Sequence, residues 1–203
     1  MLNERIMMYL PTLVIVLVSL TIHEYAHGWV AYKCGDDTAK RMGRLTLNPL
    51  AHISFFGTIV LPLIVKFGWA KPVPVNFAVL SKRDVFKVAV AGPAANILLA
   101  VVLVLAFHVF GLETSPAISN FVLMGIFFNL ILAVFNLLPI PPLDGSRMVC
   151  ACLKSPVAIR AFMNFGRYGM IVLVGFIVLG GFSLIFPVFA TLYALLRLPL
   201  PAQ

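Results

Sequence analysis

Charged residues are scarce in this sequence, and acidic residues are the scarcest. The 203 residues include only seven aspartates and glutamates, and charged residues make up 11% of the chain. A soluble domain carries about a quarter of its residues as charges, so a soluble globular protein is excluded. Hydrophobic residues make up 62% of the chain and the mean hydropathy is +1.05. We therefore expect one integral membrane domain spanning residues 1–203.

Cysteine is also rare, and the excess of positive charge is spread out. The three cysteines, Cys34, Cys150 and Cys152, form no C-x-x-C pair. Their odd number argues against a disulfide framework or a cysteine zinc site. The net charge of +8 comes from basic residues scattered between apolar segments. We interpret them as topology signals and lipid headgroup contacts, and we expect no nucleic-acid partner.

Long apolar segments define the predicted fold, which is an all-α polytopic membrane protein. Four of them approach the roughly 20 residues that a span needs: about 6–33, 86–111, 117–139 and 167–185. The shorter stretch 53–67 is either a short span or a re-entrant segment. The stretch 184–198 contains Pro187 and either continues the last helix with a kink or forms a separate half-helix. We therefore expect a bundle of about four to six transmembrane helices.

Residues between the first two long segments favour an extended structure. Residues 43–48 alternate apolar and polar side chains, and Pro72 and Pro74 favour extended backbone in residues 71–76. The sequence predicts either a surface loop or a small membrane-associated β or extended segment after the first helix. Such an exposed edge could hold a substrate in extended form.

The basic residues also predict the orientation. If 53–67 does not cross the membrane, thirteen of the fifteen lysines and arginines share one side, and the positive-inside rule makes that side cytosolic. These residues are Lys33, Lys40, Arg41, Arg44, Lys66, Lys71, Lys82, Arg83, Lys87, Arg147, Lys154, Arg160 and Arg167. Only Arg5 and Arg197 then lie on the opposite side.

A metal-binding pattern lies inside the first apolar segment. The sequence His23-Glu24-Tyr25-Ala26-His27 is an H-E-x-x-H motif. On a helix its two histidines stand one turn apart on the same face, where they can share a zinc ion while Glu24 activates water. Ionisable residues inside a span are energetically expensive and usually functional. The pattern predicts hydrolysis within a membrane.

Asp144 is the predicted third ligand, because a catalytic zinc ion needs three protein ligands and an open position. Of the other carboxylates, Glu4 and Glu113 fall on the outer side, and the rest fit helix ends or charged surfaces. Asp144 directly follows a span that Pro139, Pro141 and Pro142 terminate. At such a break a carboxylate can point back into the bundle, at the depth of His27.

Two other histidines are alternatives. His52 is the main rival for the third ligand position, although a loop or supporting role fits it better. His108 lies at the outer end of the second long segment, where an interfacial role is expected.

Together these motifs resemble the site-2 protease family of intramembrane zinc metalloproteases. The resemblance is carried by the H-E-x-x-H motif, by Gly92-Pro93-Ala94-Ala95-Asn96 and by residues 136–145, and it covers nearly the whole chain. It implies one zinc ion per chain held by His23, His27 and Asp144, with Glu24 as general base. Asn136 matches an asparagine that binds the substrate backbone or the developing oxyanion.

The resemblance also implies substrates and a location. The family cuts transmembrane segments or signal-peptide remnants, so the expected partners are such proteins and the bilayer, in a multi-pass prokaryotic inner-membrane protein. Ser146 departs from the second glycine of many members, and no PDZ or CBS domain fits in the chain. Oligomeric state and substrate stay open. The alternative functions are a metal transporter and a non-catalytic pseudoprotease that binds membrane partners.

Overall fold

A computed structural model describes residues 2–54 and 71–196 of the chain. The predicted segment 53–67 therefore lies almost entirely outside the described residues, as does the end of the predicted segment 184–198. The described helices are α1 (Leu2–Lys33), α2 (Thr38–Arg41), α3 (Lys82–Val109), α4 (Pro116–Asn136), α5 (Asp144–Cys152), α6 (Pro156–Gly166), α7 (Gly169–Val178) and α8 (Phe182–Leu195). Short 3₁₀ turns occur at Pro49–His52 and Leu112–Thr114.

The expectation of an all-α fold is confirmed for the described residues, which contain no strand. Residues 43–48 and 71–76 adopt neither helix nor strand, so the β segment is not seen. Residues 71–76, which contain Pro72 and Pro74, instead form backbone hydrogen bonds to side chains of neighbouring elements.

Helices α1, α3 and α4 are the membrane-spanning candidates. Each is long and apolar enough to cross a bilayer, with α1 qualifying over Pro11–Lys33. Ser81 caps α3 by accepting a hydrogen bond from the Asp84 N–H, and Pro116 occupies the first turn of α4. Helices α6 and α7 form a fourth candidate only if taken together, because they bend by 61° at Arg167–Tyr168.

The predicted span 167–185 is not one continuous helix. Helix α7 ends at Val178, and Gly180 adopts a left-handed conformation with φ of 79° before α8 begins at Phe182. Glycine accepts this backbone without the strain that a Cβ would introduce. The described residues therefore contain three candidate spans, or four with the bent pair, and a count up to six is not confirmed.

The core lies between α3, α4 and α8, where apolar side chains such as Ala100, Ile126 and Tyr193 are buried. A polar layer interrupts this apolar packing nearer α1. It consists of Ser19, Asn96 and Asn129, each at most 1% exposed. The layer lies directly beside the histidines of α1 and positions the site.

Candidate metal centre

His23, His27 and Asp144 converge at one point. The two histidines lie one turn apart on α1, and their Nε2 atoms are 3.1 Å from each other. Asp144 is the first residue of α5, and its Oδ2 atom is 3.1 Å from each Nε2. Both histidines are buried. Among the described residues these three form the one group of histidine, cysteine and acidic side chains that could hold a metal ion.

Hydrogen bonds at the other ring nitrogens orient both histidines. The Nδ1 atom of His27 is 2.6 Å from the carbonyl oxygen of Val88, which can only accept, so this nitrogen carries the proton. The Nδ1 atom of His23 is 2.6 Å from Oδ1 of Asn96. In their neutral form both rings therefore present an unprotonated Nε2 to the centre, as histidine ligands of metals do.

With both imidazoles neutral, three lone-pair acceptors thus face one another with no hydrogen between them, an arrangement that a cation stabilises. A proton on either Nε2 can take the place of that cation: burial raises the pKa of Asp144, but hydrogen bonds from the protonated rings of His23 and His27, together with their positive charge, outweigh this effect and hold the pKa below its ordinary value. The carboxylate is therefore ionised at neutral pH. Ligand atoms of a tetrahedral zinc ion with bonds of about 2.1 Å lie about 3.4 Å apart, close to the observed triangle, and nitrogen and oxygen donors suit zinc.

The backbone of α3 passes directly over the centre at Gly92. A Cβ at this position would lie 2.6 Å from Nε2 of His23 and would also overlap Nε2 of His27. Close helix packing is a common reason for a glycine in a membrane-spanning helix. The structure shows a more specific reason, since any side chain here would overlap the Nε2 atoms of both histidines.

Residues 71–76 hold the carboxylate of Glu24, the residue that follows His23 on α1. The Val73 N–H donates to Oε2 of Glu24 at 2.7 Å. Hydrogen bonds anchor this segment at both ends, because Arg44 donates to the Lys71 carbonyl and the Asn76 N–H donates to Asp36. The Val73 side chain is buried against α1. Glu24 is thus fixed through one oxygen.

The structure places the other candidate residues outside the metal group. Asn136 ends α4 and donates to the carbonyl of Leu132. His52 is a buried loop histidine whose Nε2 contacts the Thr46 carbonyl, and it does not belong to the group of possible metal ligands. His108 stacks edge-on against Phe107 near the end of α3.

Arg147 and Phe77 are neighbours of the site that the sequence interpretation missed. The Arg147 guanidinium lies 4.2 Å from the centroid of the Phe77 ring and is close enough to interact electrostatically with Asp144 and Glu24. A signal was available, because Arg147 is one helical turn after Asp144. Phe77 is distant in sequence from both motifs, so no short-range pattern could have linked it to them.

Comparison with known proteins agrees with this geometry. The model of peptidase family M50 matches residues 11–115 and 111–180. YwhC of Bacillus subtilis, named as a candidate zinc metalloprotease, is 47% identical over 174 residues, which are 80% of this chain and 78% of YwhC. Rip2 of Mycolicibacterium smegmatis, named in the same way, is 33% identical over 78% of this chain and 62% of Rip2, less than two thirds of its length.

Rip3 of Mycobacterium tuberculosis, also named as a candidate zinc metalloprotease, is 31% identical over 82% of this chain but only 37% of Rip3. No solved structure matches the chain. The family match covers most of the sequence, including both motifs that contribute to the metal group. The chain belongs to peptidase family M50, the zinc metalloproteases of the site-2 protease type.

Proposed function

We propose that this protein is an intramembrane endopeptidase that uses one zinc ion per chain to hydrolyse peptide bonds in or near transmembrane segments of other proteins. The observation that supports this most strongly is the triangle of ligand atoms, 3.1 Å on each side. Both histidines in it are already oriented for a metal. The triangle lies among helices long and apolar enough to span a bilayer.

His23, His27 and Asp144 would hold the zinc ion. When bound, zinc supplies Lewis acidity, which lowers the pKa of water to about 7 and polarises the scissile carbonyl. The single negative charge of Asp144, with two neutral imidazoles, leaves the centre with net positive charge and keeps that Lewis acidity strong. The backbone at Gly92 closes one side of the site, so substrate approaches from another.

Glu24 is the proposed general base. Its Oε2 atom is occupied by the Val73 N–H, which leaves Oε1 to take a proton from the attacking water and to deliver it to the leaving amine. A carboxylate fixed through one oxygen loses little freedom on reaching the transition state. Val73 is therefore part of how the base is positioned.

Asn136 is proposed to bind the substrate backbone or the developing oxyanion. It lies at the last residue of α4, eight residues before Asp144. Its amide currently donates to Leu132, so this role requires the side chain to exchange that bond for one to the substrate. A donor of this kind contributes about 10²–10³-fold to kcat.

The proposed substrates are transmembrane segments or signal-peptide remnants, cut near the cytosolic face of the prokaryotic inner membrane. A helical substrate hides its peptide bonds in internal hydrogen bonds and has to unwind before it can be cut. Residues 71–76 lie beside Glu24 and offer a non-helical backbone against which an unwound segment can align. The basic residues of the loops support a cytosolic site through the positive-inside rule.

The test compares wild-type protein with Glu24→Gln in liposomes that contain a panel of single-span substrates. We expect cleavage by the wild type, loss of cleavage with a chelator, and loss of cleavage in Glu24→Gln with the bound zinc retained. Cleavage by the zinc-loaded variant would refute the role of Glu24. The transporter and pseudoprotease alternatives predict that Glu24→Gln changes no proteolysis, because neither one hydrolyses a peptide.

A further inference from the structure

We propose that Asn129 is a positioning residue of the metal centre, although it does not touch a metal ligand. Through Asn96 it fixes the proton of His23 on Nδ1 and so keeps Nε2 free for the metal. This inference rests on the proposed function only in taking His23 as a ligand. It goes beyond that function because it assigns a role to a residue on α4 that reaches the ligand His23 only through Asn96.

The backbone carbonyl groups of Gly125 and Ser19 fix the direction of the hydrogen bonds in this layer, because a carbonyl oxygen can only accept. The Nδ2 atom of Asn129 is 2.8 Å from the carbonyl oxygen of Gly125, which can only accept. The amide of Asn129 therefore cannot be turned around, and its Oδ1 is the acceptor that faces Asn96 at 2.8 Å. The Nδ2 atom of Asn129 also donates to Oγ of Ser19 at 2.8 Å.

The orientation of Asn96 follows from that of Asn129. Its Nδ2 atom donates to Oδ1 of Asn129 and, at 3.3 Å, to the carbonyl oxygen of Ser19. Its Oδ1 atom is then the one that faces His23 at 2.6 Å, so Nδ1 of His23 must be the donor. With Asn96 turned the other way, its N–H would face Nδ1 of His23 and move the ring proton to Nε2.

Because these side chains are buried, their hydrogen bonds determine which nitrogen of His23 carries the proton. Asn96 is 0% exposed and Asn129 and Ser19 are each 1% exposed, so water cannot supply a missing donor. Reversing one amide would bring two acceptors together in an apolar interior, where an unpaired polar group is costly. His27 provides an internal comparison, because its Nδ1 is held by the Val88 carbonyl, which no side-chain substitution removes.

The test measures the protonated nitrogen and the zinc affinity separately. The chain contains four histidines, so selective ¹⁵N labelling of metal-free protein gives four ring systems in long-range correlation spectra. At a pH where the imidazoles are neutral, we expect the Nδ1–H form for His23 and His27 in the wild type. An Nε2–H form of wild-type His23 would overturn the proposal without requiring any variant to fold.

Asn129→Leu keeps the volume but removes the nearer of the two acceptors that orient Asn96, at 2.8 Å, and leaves only the Ser19 carbonyl at 3.3 Å. We expect His23 to gain the Nε2–H form while the tautomer of His27 stays unchanged. We also expect zinc affinity to fall about tenfold, the lower limit of the loss seen when groups that orient metal ligands are substituted. The matched control is Ser19→Ala, which leaves Asn129 bonded to Gly125. Equal losses of affinity in both variants, with no change at His23, would show a packing role and overturn the proposal.

A double variant provides the sharpest test. In Asn96→Asp both oxygens accept, so Nδ1 of His23 stays protonated whatever Asn129 does, and the carboxylate is repelled by Oδ1 of Asn129. Adding Asn129→Leu to Asn96→Asp should therefore leave zinc affinity unchanged or raise it. A further tenfold loss in the double variant would overturn the proposal. Because none of these measurements involves cleavage, failure of the proposed protease activity would be seen separately.

Discussion

Substituting Gly92 by alanine should remove zinc binding while leaving the fold in place. The added Cβ would lie 2.6 Å from both Nε2 and Cε1 of His23 and would also overlap Nε2 of His27. Ordinary contacts between such atoms are about 3.5–4.0 Å, so roughly 1 Å of displacement is required. Either the imidazole rings turn away from the centre or α1 and α3 separate.

Both responses to the Gly92 substitution destroy the ligand triangle. Zinc sites tolerate deviations of about 0.2 Å in ligand distance, several times less than the displacement required. Perturbing groups behind the ligands already costs 10–100-fold in affinity, so direct displacement of His23 and His27 should cost at least about 100-fold. Overpacking should reduce stability by about 1–3 kcal/mol, partly offset by about 1 kcal/mol from replacing glycine in a helix.

Gly125 offers a matched control for Gly92 within another buried helix. A Cβ on Gly125 would meet only the end of the Leu103 side chain, at 3.1 Å, and that side chain can move. The assay is competition between protein and a chromophoric chelator for zinc, with thermal unfolding as the check on folding. We expect Gly125→Ala to bind zinc normally. Normal zinc affinity in Gly92→Ala would refute the placement of α3 over the centre.

Three other substitutions test the surroundings of the site. Val73→Pro removes the N–H that holds Glu24. Because a hydrogen bond to a charged group contributes about 1.5–3 kcal/mol, we expect the rate of cleavage to fall at least tenfold while zinc affinity is unchanged. Val75→Pro is the control. Gly169→Ala places a Cβ 2.5 Å from the Pro141 carbonyl oxygen and should weaken zinc binding by shifting the loop before Asp144, whereas Gly175→Ala, with no atom within 4 Å, should not. Burial raises the pKa of Asp36, but hydrogen bonds from Thr38 and Asn76 outweigh this and hold the pKa below its ordinary value. The ionised carboxylate therefore stabilises the fold above about pH 4, and this stabilisation is lost as the pH falls further. Denaturant titrations should show Asp36→Asn less stable than wild type at pH 7 and indistinguishable from it in strong acid.

Much of the site was predictable because its motifs are local. The H-E-x-x-H spacing puts two histidines on one helical face whatever the rest of the chain does, and the prolines before Asp144 end α4 by removing backbone donors. The scarcity of carboxylates then left few choices for the third ligand. The structure brings His23, His27 and Asp144 together as those local rules predicted, while the roles of these residues in catalysis stay predictions.

The remaining features depend on contacts between residues far apart in the sequence. Asn96 bonds to His23 across 73 positions, and the Val73 N–H bonds to Glu24 across 49. No periodicity within a helix encodes such pairings. One signal was present, since Gly92 and Asn96 are four residues apart and must share a face of α3. The break between α7 and α8 at Gly180 was missed because the apolar composition of 167–185 resembles one span.

The metal-free centre should be a source of instability, and Asp144→Asn tests this directly. Without a cation, and with both imidazoles neutral, two imidazole lone pairs and a carboxylate oxygen lie 3.1 Å apart, and the bonds to Asn96 and Val88 prevent either ring from turning its proton toward the others. An asparagine at this position could donate from its amide to both Nε2 atoms. At a pH high enough to keep both imidazoles neutral, metal-free Asp144→Asn should therefore be more stable than metal-free wild type, by about 1–3 kcal/mol for satisfying buried acceptors, although it binds zinc far more weakly. With zinc present the order should reverse, because the ion stabilises only the folded protein that can bind it. Equal stability of the two metal-free proteins in denaturant titrations would contradict this account, since it would mean that the three acceptors are relaxed without a metal.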